Sequence, residues 1–433
     1  MAKHGNYPLQ ASGSSGFWHK LKMTARDYGP GIVMVLTMMG AGDLVTSAVS
    51  GSNYGYNLMW LLVLSLMLRF VILNIMGRFQ IYNTGGMTIL EGYAKIHKIF
   101  PIFFGIAAIF MGHLITAQMI KGSGIALAWM SGIDYPFIWS ICVVIASVIL
   151  MRRNAYSSVE KMMKVLLGVL TFCFIGLAVY SGPNPADILM GTVGFGFPSE
   201  TGAYGAFLVG IALVGSVAGS LTNLIYPYFL QDRGWIRPEH KRIQRNDLLF
   251  SFGAAIVIDL AIWVVGAEIL RPNGVEVSDI GDIAQALVLY MGHLGAWIFY
   301  LGVFGILYSS VIGTANGYGK IIVDSYYKLS EKAVKKTDDL DKDPKVFWVT
   351  MFLLFTPLVW SIPGMTGFVT LVLFTNALSI LALPAIAVGL LIISNNKAYL
   401  NDKTNNIVEN VILAATTLLT LWGSYTLLMS FFK

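Results

Sequence analysis

The stretch Thr37-Met38-Met39-Gly40-Ala41-Gly42-Asp43-Leu44-Val45 decides how this chain is read. It sets two glycines and a carboxylate inside an apolar run that extends from about residue 30 to 50. An ionisable side chain at that depth of a membrane segment is expensive and marks a function. Paired glycines beside it mark a helix that opens. An opened backbone in a bilayer is tolerable only where it lines a cavity or binds something.

The membrane setting follows from the rest of the sequence. The 433 residues are 56% hydrophobic and only 12% charged, with a mean hydropathy of +0.69. A soluble domain carries about 25% charged residues. Apolar runs near the length of about 20 residues that a spanning helix needs occur at roughly 30–50, 57–80, 101–127, 136–151, 159–181, 203–231, 246–270, 293–318, 346–362, 367–393 and 406–431. With the N-terminus cytoplasmic, 25 of the 29 Lys and Arg residues fall in the tail and loops of that side, as the positive-inside rule demands. The chain therefore reads as an all-α integral membrane protein with eleven transmembrane helices. Residues 1–28 are a polar, Gly/Ser-containing cytoplasmic tail with no evident cleavable leader, residues 394–433 the last loop and helix, and the C-terminus lies outside. The net charge of +6 is explained by this topology, without nucleic acid. Cys142 and Cys173 both lie in apolar runs and form neither a disulfide framework nor a thiolate metal site.

Eleven spans divide as five plus five of opposite orientation plus one, the pattern of an inverted-repeat transporter core over residues 29–393, with repeats at about 29–181 and 203–393. The first and sixth spans are then equivalent. The sixth carries Gly215, Gly219, Ser220, Thr222 and Asn223, followed by Pro227. Interruptions at corresponding places of two halves point to a transport site. The chain contains no phosphate-cradling Gly-Lys-Ser/Thr motif, which argues against an ATP-driven pump, and no nucleophile–base spacing that suggests an enzyme.

The flank of the first break resembles the Nramp family of divalent-metal transporters. Gly29-Pro30-Gly31 matches that family's entry to the first helix, and Ser50-Gly51-Ser52-Asn53-Tyr54-Gly55-Tyr56-Asn57-Leu58-Met59-Trp60 its exit. Weaker matches follow at Gly122-Ser123-Gly124-Ile125-Ala126-Leu127, Arg152-Arg153 with Val159-Glu160, Gly313-Thr314-Ala315-Asn316-Gly317 and Leu383-Pro384, so that the similarity covers roughly 29 to 390. The resemblance implies the LeuT-like fold with discontinuous helices 1 and 6. It also implies a multi-pass protein of the plasma membrane (a bacterial inner membrane), a monomer whose partners are the lipid bilayer and a divalent metal ion. That ion is the transported substrate, not a cofactor.

The departures from the family pattern shape the expected chemistry. Gly40-Ala41-Gly42-Asp43 stands where the family has Asp-Pro-Gly-Asn, so the carboxylate has moved by three residues, about one helical turn. Gly219-Ser220-Leu221 stands where the family has Met-Pro-His, with Ser216 at the position of a metal-binding carbonyl. Asn376 replaces a glutamine in the tenth helix. Thr116 and Met119 replace acids of the third helix that take part in proton coupling. The metal set implied is Asp43, Gly40, Ser216, Gly219 and Asn376. Ala41, Thr46, Thr222, His113 and Thr116 are further candidates for the cavity or ion path. An oxygen-lined site suits Mg2+ and Mn2+ rather than softer ions, and Mg2+ keeps several of its waters. The pattern looks like the Nramp-related magnesium transporters, with proton coupling in doubt.

Bland readings stand beside these. Asp43 could cap the second half-helix, Gly40, Gly42 and Gly219 could be packing glycines, and Asn376 and Thr222 could serve interhelical hydrogen bonds. His113 could be a structural histidine. Arg69, Lys121 and Asp259 also fall in spans and are expected to face a polar interior in unknown pairings. The competing function classes are a LeuT-fold carrier of an amino acid or other small organic solute, and a non-transporting membrane scaffold or sensor.

Overall fold

Hydrocarbon offers no partner to a peptide group, so each apolar run must satisfy its own backbone, and a helix does so within one segment. The computed structural model describes residues 40–152, 156–199, 204–330 and 340–430. These residues form helices and no strands. Helical segments stand at all eleven expected places. They are α1 (Ala41–Tyr54), α2 (Met59–Tyr82), α3 (Ile99–Ser131), α4 (Pro136–Arg152) and α5 (Tyr156–Tyr180) in the first half. In the second half they are α6a (Ala206–Val217) with α6b (Tyr226–Asp232), α7 (Lys241–Val265), α8 (Ile280–Leu329), α9 (Pro344–Phe355), α10a (Phe368–Ser379) with α10b (Leu383–Ser394), and α11 (Ile407–Ser430). Eight helical stretches among the described residues are each long and apolar enough to cross a membrane. The exceptions are α1, of which residues 30–39 lie outside the described residues, the 17-residue α4, and α5, which bends by 111° into a helix at Pro185–Val193. The expected tail at 1–28 also lies outside the described residues.

The boundaries departed from expectation where polar start signals, not apolar runs, set them. The eighth span begins at Ile280 instead of 293, because Asp279 and Asp282 form a reciprocal cap at its start. The two parts of α8 meet at Gly292, whose φ of 57° and ψ of −140° bend the helix. Thr88 and Asn184 likewise cap short helices at Ile89–Ile96 and Pro185–Val193, which hydropathy does not reveal.

Packing places α1 at the centre. Ala41 through Ser52 are all buried, and the helix is surrounded by α6a, α7 and α10a. α3 and α8 pack along each other, with α5 against α8. Large apolar side chains such as Phe110, Phe172, Val179, Leu418 and Trp422 remain exposed on the outside, the surface a bilayer covers.

Within the second half, α6a and α10a approach each other very closely. A Cβ on Gly215 would lie 1.9 Å from the Asn376 carbonyl oxygen, so only a glycine allows this approach. Gly215→Ala should therefore destabilise the protein by about 1–3 kcal/mol, the usual cost of overpacking. Gly253→Ala in α7, whose Cβ would meet nothing within 4 Å, should leave thermal unfolding in detergent unchanged. Equal melting temperatures for the two variants would refute the packing argument.

Candidate functional site

The described residues begin at Gly40, so the part of the first span before its expected break lies outside them, whereas the break in the sixth span is described. α1 starts at Ala41, and Gly40 is its extended N-cap residue with φ −109° and ψ −162°. Ala41, Gly42 and Asp43 are thus already helical. The break in the sixth span lies between α6a and a 3-10 turn at Leu221–Ile225. Gly219 sits there with φ +66°, a conformation that a Cβ strains, and its Cβ would also meet Asn223 Oδ1 at 2.4 Å. Gly219 is thus required both by the backbone turn and by the close packing around it.

These two spans meet. Ser216 Oγ donates to Asp43 Oδ1 at 2.5 Å. A Cβ on Gly42 would lie 2.5 Å from Ser216 Oγ and 2.8 Å from Asn376 Nδ2. α1, α6a and α10a therefore converge on one point. Asp43 is only 3% exposed, and no side chain caps α1, so the carboxylate reaches across to α6a instead of closing its own helix.

A cavity of about 60 Å³ opens at this point, its walls including Gly40, Gly42, Ser216, Thr222 and Asn376. At about 10–15 Å³ per water, it has room for roughly four waters. Ala41 lines it as well. Asp43 stands behind Gly42 and Ser216 instead of in the wall. Among the described residues no group of three or more His, Cys, Asp or Glu side chains converges to hold a metal.

Several expected site residues lie elsewhere. Gly219 is not in the cavity wall. Thr46 is spent on its own helix, donating to the Gly42 carbonyl at 2.8 Å. Thr116 is fully buried, yet its neighbours Ile115, Gln118 and Met119 line the cavity in its place. His113 links α3 to the segment after α9. Its Nδ1 pairs with Thr356 Oγ1 at 3.0 Å, and its Nε2 accepts from Trp360 Nε1 at 3.0 Å. Both of its ring nitrogens are thus engaged in contacts between helices. The Ser216 carbonyl accepts from the Gly219 amide at 3.2 Å, so both the carbonyl and the hydroxyl of Ser216 are hydrogen-bonded.

The wall is also not purely oxygen. Met119 brings a thioether from α3, although its sulfur accepts from Thr314 Oγ1 at 3.4 Å. Gln118, 2% exposed, turns a carbonyl oxygen without a hydrogen-bond partner toward this region.

The charged wall residue is one the sequence left without a role. Arg69 of α2 lines the cavity and is 6% exposed. It donates from Nη1 to the Val217 carbonyl at 3.3 Å, and the buried Asp43 carboxylate lies behind the same cavity wall. Lys121 does not join them; its Nζ donates to the carbonyls of Trp360, at 2.9 Å, and Thr366. The signal for Arg69 was its position in a span, but sequence spacing names no partners across helices.

Comparison with known proteins places this arrangement. The family model for natural resistance-associated macrophage protein-like (Nramp) proteins matches residues 31–430. A relative from Dictyostelium discoideum, a natural resistance-associated macrophage protein 2 homolog, is 22% identical over 404 residues, 89% of this chain. The chain spans 61% of that relative's length. The divalent metal cation transporter MntH of Nostoc sp. is 22% identical over 73% of this chain and 72% of its own. The crystal structure of a manganese transporter variant from Eremococcus coleocola superposes with a TM-score of 0.74 at 18% identity, over 97% of this chain and 89% of that one. MhsT in complex with L-phenylalanine shares the fold more distantly, with a TM-score of 0.55 at 13% identity, over 92% of this chain and 98% of that one. With the family model matched over nearly its whole length, the chain belongs to the Nramp family.

Proposed function

We propose that the protein transports divalent metal cations across the plasma membrane, binding them at the meeting point of the interrupted helices. The observation that carries this reading is a cavity of about 60 Å³ walled by Gly40, Ser216 and Asn376 beside the break in the sixth span, with the Asp43 carboxylate held by Ser216 just behind that wall. One carboxylate and a set of neutral oxygens do not strip an ion of its water. A cavity that holds roughly four waters suits an ion that stays partly hydrated, as Mg2+ does. Asp43 supplies the charge, and the Ser216 hydroxyl, the Asn376 amide oxygen and the Gly40 carbonyl supply oxygen contacts. The Met119 sulfur is engaged by Thr314, so the site favours the hard ions Mg2+ and Mn2+ over soft ones. The absence of carboxylates at Thr116 and Met119 supports transport without an accompanying proton. The chain works as a monomer with its N-terminus in the cytoplasm and its C-terminus outside. Rocking of the interrupted helices against the rest gives alternating access.

In proteoliposomes, Asp43→Ala should lower Mn2+ and Mg2+ uptake at least tenfold, and wild-type uptake no faster than the variant's would sink this reading. Cd2+ should gain no advantage over Mn2+ in the same assay. A dye that reports internal pH should record no acidification during Mn2+ uptake; proton entry in step with the metal would overturn the uncoupled mechanism.

Arg69 in the wall favours a second reading, in which the substrate is an amino acid whose carboxylate pairs with the guanidinium. Thermal stabilisation of the detergent-solubilised protein by amino acids, with none by Mn2+ or Mg2+, would select it over the first.

A further inference from the structure

Arg69 holds a position built for a cation. It is buried on α2 and always charged, and burying such an ion is costly unless partners compensate. Two features compensate. Its Nη1 meets the Val217 carbonyl at the C-terminal end of α6a, the end of a helix that attracts positive charge. Buried carboxylates stand near: Asp43 is held by Ser216, which lines the same cavity as Arg69, and Asp259 is buried on α7, which packs against both α1 and α2. Its remaining side, at Nε, has no hydrogen-bond partner, and that nitrogen lies 3.0 Å from where a Cβ on Gly219 would stand. The guanidinium is therefore held by charge more than by a full set of hydrogen bonds. It borders the same cavity as Gly42 and Ser216.

The features that stabilise Arg69 are the ones that would stabilise a transported cation. Two positive charges in one low-dielectric cavity repel strongly. We propose that Arg69 is a resident cation that competes with the substrate for Asp43 and the carbonyl end of α6a, so that the metal binds by displacing the guanidinium and leaves as it returns. This inference deepens the transport reading given above and rests on it. Arg69 is on this account a positioning residue that keeps binding weak enough for release.

The test compares wild type, Arg69→Gln and Arg69→Lys in Mn2+ binding by calorimetry and in Mn2+ uptake by proteoliposomes. Arg69→Gln should bind Mn2+ at least tenfold more tightly, lower KM in parallel and lower the maximal rate, because release becomes slow. Arg69→Lys, which keeps the charge, should stay within about threefold of wild type. A purely structural arginine predicts lost thermal stability with unchanged or weaker Mn2+ binding, and that result overturns the proposal. Should Arg69→Gln fail to fold, the double variant with Asp259→Asn removes one charge of each sign. It should bind Mn2+ at least tenfold more tightly than Asp259→Asn alone, and equal affinities would overturn the proposal. Wild-type protein that binds no Mn2+ or Mg2+ would instead bring down the transport reading, and this inference with it.

Discussion

A helix opened at membrane depth exposes carbonyl and N–H groups that lipid cannot satisfy, and the centre of this protein is organised around that constraint. At the end of α6a the chain meets it locally first. The Ser216 carbonyl takes the Gly219 amide, and the Ala218 carbonyl takes Asn223 Nδ2 at 3.1 Å. The Val217 carbonyl takes Arg69 from a different helix. The break is thus closed by a turn, a side chain from the following segment and a buried cation.

That solution brings charge with it. A guanidinium in the interior needs counter-charge, and the buried carboxylates of the neighbourhood are Asp43 on α1 and Asp259 on α7. Asp43 in turn is fixed by Ser216, which stands on α6a one position before Val217. Satisfying the backbone and satisfying the charges are consequently one network, spread over α1, α2, α6a and α7. Buried networks of this kind are sensitive to the loss of a member. The close approach of α6a to α10a at Gly215 sets the distance across which the Asn376 amide joins the site.

Much of the fold was legible in the sequence because its signals are one-dimensional. Apolar runs of membrane length and the distribution of Lys and Arg specify the spans without reference to any partner. The glycines of the sixth span announced its break for the same reason, since a φ of +66° at Gly219 is a local property of the backbone. Short helices at Ile89–Ile96 and Pro185–Val193, and the early start of α8, escaped because caps such as Thr88, Asn184 and Asp279, not hydropathy, define them.

The site was legible only in part. The sequence by itself determined that Asp43 stands beside paired glycines in an apolar run and that Asn376 and Thr222 are polar residues of apolar spans. The tertiary structure decided which of these share a cavity. It put Ala41, Thr222 and Asn376 in the wall, engaged Thr46 and His113 in hydrogen bonds elsewhere, and brought in Gln118, Met119 and Arg69. The physical reason is that periodicity fixes the face a residue occupies on its own helix, whereas the partner across the gap depends on helix rotation and depth. Those are set by packing among helices distant in sequence, as when α2 carries Arg69 to the carbonyl of Val217, 148 residues away.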